Sequence, residues 1–147
     1  MLDETKSERN QVVAHFKSGT LLKGYTLDFV PEKETFHLTS ESATGKRTIY
    51  EIRMSALKAL FFVKTLEGDK NYKEKKRFEE ADTSGQRGLK IKVVFSDGET
   101  IRGISLGYSK QKKGFFITPV DLQGNNIRIY ILMNAVKEIK VGSEADK

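Results

Sequence analysis

Residues 16–27 read Phe16-Lys-Ser-Gly19-Thr-Leu-Leu22-Lys-Gly24-Tyr-Thr-Leu27, and residues 95–106 read Phe95-Ser-Asp-Gly98-Glu-Thr-Ile101-Arg-Gly103-Ile-Ser-Leu106. The second stretch is the first displaced by 79 positions, without a gap. The same displacement carries Phe36 onto Phe115, Gly45 onto Gly124, Ile52 onto Ile131, Met54 onto Met133, Ala56 onto Ala135 and Lys58 onto Lys137. A fixed period over this length is the mark of a duplicated structural unit. One repeat spans residues 11–66 and the other 89–142. Each is near the lower size limit for an independent core, so the two are expected to lean on each other.

Within a repeat the pattern is that of short strands. Val12, Ala14 and Phe16 alternate with Val13, His15 and Lys17, the period of a strand. Ser18-Gly19 and Asp97-Gly98 predict hairpin turns. A second strand follows over Thr20–Phe29, and Gly24 and Gly103 interrupt it at matching places, where a bend or bulge lets a small sheet curl. Further strands are predicted near Thr35–Ser40 and Gly114–Thr118, and near Thr48–Arg53 and Ile127–Leu132. Met54–Lys58 and Met133–Lys137 break the alternation with one helical turn each. Ala59–Lys64 and Glu138–Val141 complete five strands per repeat. The expected fold is all-β.

This order resembles the SH3-like or Sm-like small barrel. The Phe-x-x-Gly-x-x-Leu/Ile-x-Gly frame starting at Phe16 and Phe95 is similar to the first Sm signature. The second signature, an apolar strand ending in Arg-Gly or Arg-Asn, has no match: Ser55 and Asn134 stand near that place with no arginine before them. The resemblance therefore implies two tandem five-stranded barrels without the Sm RNA pocket. A closer resemblance rests on Gly19-Thr-Leu-Leu-Lys-Gly24, Ala56-Leu-Lys-Ala-Leu-Phe-Phe-Val63, Leu106-Gly107-Tyr108, Gly114-Phe-Phe116 and Asn125-Asn-Ile-Arg-Ile-Tyr130. These are similar to an uncharacterised bacterial family whose domain occurs alone or joined to PilZ and response-regulator modules. That resemblance implies a bacterial cytoplasmic protein near signalling pathways, and no particular activity.

The remaining segments are polar. Residues 1–10 read as a flexible arm, 67–88 as a charged linker with room for a short helix in Asn71–Glu80, and 143–147 as a frayed tail. The chain has 147 residues and no cysteine, which excludes disulfides, thiolate zinc sites and cysteine nucleophiles. No apolar run reaches the length of a membrane span. The N-terminal residues have no apolar core of a secretory signal, so a cytoplasmic location is expected. Net charge is +6, and residues 89–147 hold 10 Lys/Arg against 6 Asp/Glu, so most of the excess lies in the second repeat.

The search for catalytic chemistry finds none. His15 and His37 alternate against core positions, which turns both away from their own cores, and no metal ligand set is expected. Phosphate-loop and dinucleotide fingerprints are missing. Cyclic-dinucleotide binding by PilZ domains uses an Arg-x-x-x-Arg arm, which this chain lacks; Asp82-Thr-Ser84-Gly-Gln-Arg87-Gly88 matches the accompanying turn motif only at its start. No cofactor is expected.

The leading expectation is a non-enzymatic binding or scaffold module with protein partners. Its candidate rim is Tyr108, Phe116, Asp121, Asn126 and Arg128. Asn125 and Asn126 read first as hairpin-turn residues that tolerate positive φ, and the polar rim is the functional alternative at that place. The alternative is RNA or DNA binding through Lys90, Lys92, Lys110, Lys112 and Lys113 with Tyr108 as a stacking platform. Ala59–Val63 is apolar at every position, whereas its counterpart Glu138-Ile-Lys-Val141 alternates. Continuous apolar runs signal burial on both faces. Phe61 aligns with Lys140, so it marks an interface with repeat two, the linker or a second copy in a homodimer.

Overall fold

A computed structural model describes residues 9–83 and 85–147. Residues 1–8 of the predicted arm, and Ser84 in the linker, lie outside the described residues. Ten strands run in chain order: β1 (Asn10–Phe16), β2 (Leu21–Thr26), β3 (Thr35–Glu41), β4 (Arg47–Arg53), β5 (Leu57–Val63), β6 (Leu89–Phe95), β7 (Thr100–Ser105), β8 (Gly114–Pro119), β9 (Asn126–Leu132) and β10 (Val136–Val141). They form one open antiparallel sheet in the order β10-β6-β7-β8-β9-β5-β1-β2-β3-β4. Shifting β1, β2 and β4 by 79 residues lands on β6, β7 and β9, and the 3-10 turn Met54–Ala56 lands on Met133–Ala135.

Two glycine pairs show why the repeat is structural. Gly19 and Gly98 both have φ of 94° and leave three-residue hairpin loops. In each loop the glycine N–H donates to the last residue of the incoming strand, Phe16 O at 3.0 Å and Phe95 O at 2.9 Å. Among the described residues only glycines have positive φ, so these are type I turns closed by a bulge glycine rather than two-residue primed turns. Gly24 and Gly103 meet a different need. A Cβ on Gly24 would lie 2.2 Å from Thr39 O, and one on Gly103 would lie 2.4 Å from Thr118 O, the matching atom of the other repeat. The third strand crosses these points too closely for any side chain.

Some expected elements are shorter than the pattern implied. The second strand ends at Thr26 rather than Phe29. The Asp28 carboxylate accepts Thr26 Oγ1 at 3.2 Å and His37 N at 2.8 Å, drawing the chain out of the ladder. Among the described residues the linker holds only a 3-10 turn, Phe78–Glu80, and the tail is not frayed: Gly142–Asp146 forms another 3-10 turn. Ala145 is fully buried there beside Phe78, Ile104 and Val120. Linker and C-terminal segment thus share a small apolar cluster against repeat two, which patterns of single residues in polar stretches do not reveal.

The sheet carries its two main cores on opposite faces. Successive residues of a strand point to opposite sides. On β5, Leu60 and Phe62 enter the core of repeat one, with Val12, Ala14, Phe36, Leu38 and Ile52. Ala59, Phe61 and Val63 enter the core of repeat two, with Ile91, Val93, Phe95, Phe115 and Ile117. β9 does the reverse: Ile129 and Ile131 serve repeat two, while Tyr130 and Leu132 serve repeat one. β5 pairs with β1 on one side and β9 on the other, and all seven of its residues are buried. The apolar run is therefore the seam of the molecule.

Candidate functional site

At the seam, aromatic side chains gather on the repeat-one face. Phe116 on β8 stands opposite Tyr130 on β9, and their ring centroids are 4.9 Å apart. Phe29 meets Tyr130 at 5.5 Å, Phe62 at 5.6 Å and Phe36 at 5.2 Å, each edge-on, the geometry favoured by ring quadrupoles. Gly114 makes room for Tyr130, because a Cβ there would come within 2.5 Å of the phenolic oxygen. The Arg128 guanidinium lies 4.5 Å from both the Phe62 and Phe116 ring centroids. Stacking of this kind holds the cation flat while leaving its N–H groups free to face outward.

Two adjoining cavities open over this floor. One, of ≈ 630 Å³, is lined by Leu106, Phe116, Tyr130 and a rim of Arg87, Lys112, Lys113 and Arg128, with Glu32 as its one acidic residue. The other, of ≈ 830 Å³, continues past Pro31 and Tyr130 to Met54, Leu132 and Met133, with charges of both signs. Pro31, Glu32, Lys113 and Tyr130 belong to both, so they form one groove across the seam. Met54 and Met133 are the same position of the two repeats, and their flexible thioethers suit an adaptable apolar contact. Burial, with the charge of Glu32, raises the pKa of Tyr130, so its hydroxyl is a neutral hydrogen-bonding group rather than a base.

The sequence-derived rim divides in this structure. Phe116 and Arg128 line the groove. Tyr108 packs edge-on against Phe115 at 5.0 Å, beside the core of repeat two. Asp121 is buried and anchors the linker: it accepts Tyr72 Oη at 2.6 Å, Lys75 N at 2.9 Å and Gln123 N at 2.9 Å. Burial pushes the Asp121 pKa up, but these hydrogen bonds outweigh it and hold the carboxyl below its ordinary value. The same bond to Asp121 raises Tyr72 to about 12. Asn126 reaches Glu74 of the linker at 3.5 Å. Asn125 clamps the end of the seam, donating to Thr65 O at 2.8 Å and accepting Thr65 N at 3.1 Å. Neither asparagine has positive φ, so the left-handed turn expected of them is not formed.

The five lysines of the nucleic-acid alternative also divide. Lys90 pairs with Asp146 at 3.5 Å, and Lys92 donates to Lys147 O at 3.1 Å, so both are engaged by the C-terminal segment. Lys110, Lys112 and Lys113 lie between β7 and β8, the last two on the groove rim.

Two groups at the seam escaped the sequence reading in their roles. Lys58 is buried at the start of β5 and donates to Asp97 at 2.7 Å and to Glu99, both of the β6–β7 hairpin. Burial lowers its pKa, yet the two carboxylates prevail and leave it raised. His15 stacks on Phe61 with centroids 4.0 Å apart, and burial, opposed by Glu99 and aided by Lys58, lowers its pKa to about 4. The 79-residue alignment shows Lys58 conserved between repeats as Lys137, while its acidic partners align with Ser18 and Thr20. That mismatch was the available signal. His37, by contrast, is exposed and bonds Asp28 at 2.7 Å.

Fold and groove together define an all-β protein with a duplicated strand order and a cationic, aromatic groove at the seam. The chain belongs to a family of unknown function, DUF6982, whose model matches residues 8–143. No curated protein and no solved structure matches it. Among the described residues no helix is long and apolar enough to cross a membrane, and no three His, Cys, Asp or Glu side chains cluster as metal ligands would.

Proposed function

We propose that this protein is a non-catalytic binding module of the bacterial cytoplasm, built as two tandem SH3-like barrels that share the β5–β9 seam. Its ligand is an extended protein segment carrying apolar and acidic side chains. The observation that carries this reading is the ≈ 630 Å³ cavity of the seam groove, with an aromatic floor of Phe116 and Tyr130 and a rim of Arg87, Lys112, Lys113 and Arg128 against Glu32, while Glu34 and Glu51 line the adjoining cavity. Apolar floors with a few placed charges suit peptide docking, and the charge excess selects an acidic partner. A place beside PilZ and response-regulator modules follows from the sequence resemblance, and cyclic dinucleotides are not its ligand in this reading.

The test is titration of acidic, aromatic-containing peptides by fluorescence anisotropy. Lys112→Glu with Lys113→Glu should weaken binding at least about tenfold, or 1.4 kcal/mol, with little change in melting temperature. Binding that survives this charge reversal refutes the groove. A second reading, nucleic-acid binding, draws on the grouping of Lys110, Lys112 and Lys113 beside Phe116. It predicts affinity for single-stranded RNA that falls steeply as salt rises.

A further inference from the structure

The internal seam joins β5 of repeat one to β9 of repeat two. The two outer strands of the sheet are β10 and β4, which are the 79-residue equivalents of β5 and β9. Among the described residues neither strand has a partner on its outer side, so each molecule carries, on these two edges, both halves of a second seam. Unpaired edges of this kind invite strand addition, and a head-to-tail contact between copies has no built-in stop. β4 is exposed along nearly its whole length, with Ile49 at 68% and Tyr50 at 41% exposure.

The residues that would meet at such a second seam follow from the first. Ala59 faces Ile131 and Phe61 faces Ile129. The equivalent contacts would set Glu138 against Ile52 and Lys140 against Tyr50 of the next copy. One step further along the register, Lys137 would stand against Arg53. Where the real seam sends Ala59 and Phe61 into the core of repeat two, the free edge offers a carboxylate and an ammonium to the core that holds Ile52. Burying either without a partner is unfavourable, and like charges directly opposed repel. Lys58 finds Asp97 and Glu99 across the real seam, whereas Lys137 would find Ser18 and Thr20. The real seam also continues past β5, through Lys64 N to Asn125 O at 2.9 Å. After β10, Gly142 with φ of 67° turns the chain away instead.

We infer that β4 and β10 are matched edges for a second copy of this chain, and that Glu138 and Lys140 keep them apart, holding the assembly at the two repeats of one molecule. The backbone geometry for growth is present, and the block lies in side chains on one strand. This inference is independent of the peptide-binding groove, which lies over the internal seam.

The test is Glu138→Ala with Lys140→Phe, which restores the residues of β5 at the free edge. Sedimentation velocity over a concentration series compares it with the wild type. The double variant should grow with concentration to species of at least twice the wild-type mass. Ile49→Lys, placed on the opposite edge of the same variant, should return it to the wild-type mass. A double variant that keeps native circular dichroism and stays at the wild-type mass overturns the inference. So does growth that Ile49→Lys does not reduce, and so does a wild type whose own association Ile49→Lys abolishes. Lys140→Leu alone, read the same way, decides the matter if the double variant loses its native spectrum.

Discussion

Phe61 and Lys140 occupy the same position of the two repeats, and truncating both to alanine compares a seam with a free edge inside one molecule. Phe61 is 7% exposed, pairs across the sheet with Val13 and Ile129, and stacks on His15. Its core is that of repeat two, so alanine would open a cavity shared by both repeats. Phe→Ala in a packed site costs about 3–5 kcal/mol. For a chain of this length each kcal/mol moves the melting temperature by about 2–4 °C, so Phe61→Ala should melt roughly 6–20 °C lower. Lys140 lies on an exposed part of β10, and its contact is an ion pair to Glu138 at 3.3 Å. Lys140→Ala should stay within about 0.5 kcal/mol of wild type. Urea unfolding followed by far-ultraviolet circular dichroism gives both numbers, and a constant m-value would show that the same surface is exposed in each variant. A loss below about 1 kcal/mol for Phe61→Ala, or equal losses for the two variants, would refute the reasoning that the apolar run of β5 is a seam.

Three further outcomes follow from the same contacts. The folded pKa of His15 is lowered from 6.5 to about 4, so the unfolded chain binds the extra proton between those values and stability falls as pH drops from 6.5 towards 4. The loss is at most about 3 kcal/mol, and less because the ring is partly solvated. His15→Val, which takes the residue that Val94 supplies in repeat two, should flatten that slope, and an unchanged slope would assign it to other groups. Neutralising both partners of Lys58, Asp97→Asn with Glu99→Gln, should cost about 1–3 kcal/mol by stranding a buried ammonium. Lys58→Met should cost less, and the reverse order in denaturant midpoints would contradict the ion-pair account. Gly24→Ala and Gly103→Ala should each lose about 1–3 kcal/mol through collision with a carbonyl, and by similar amounts, since the obstructing atoms Thr39 O and Thr118 O are repeat equivalents.

Much of this architecture was legible in the chain itself because its determinants are local. The 79-residue displacement set the strand boundaries, since Gly19, Gly24 and their copies mark backbone requirements that no other residue meets. The unbroken run Ala59–Val63 revealed burial on both faces of β5. The covering strand was legible by the same rule, although no expectation was drawn from it: Ile129–Leu132 of β9 is apolar at every position and buried, whereas β4 alternates with charged residues and is exposed along nearly its whole length. Of the candidate rim, Phe116 and Arg128 share the groove because β8 and β9 are neighbours at the seam. Asp121 and Asn126 had the polarity of a rim, but Tyr72, Lys75 and Glu74 from the linker claim their hydrogen bonds. Contacts between segments about 50 residues apart leave no periodic trace.

The central claim is that the two repeats are one cooperative sheet closed through β5 and β9. Native-state hydrogen exchange of the β5 and β9 amides tests it most directly. Those of Leu60, Phe62, Ile129 and Ile131 should exchange only through global unfolding, with the same free energy as the amides of Val13 in repeat one and Val93 in repeat two. Faster exchange at β5 and β9, with each repeat opening at its own free energy, would contradict it.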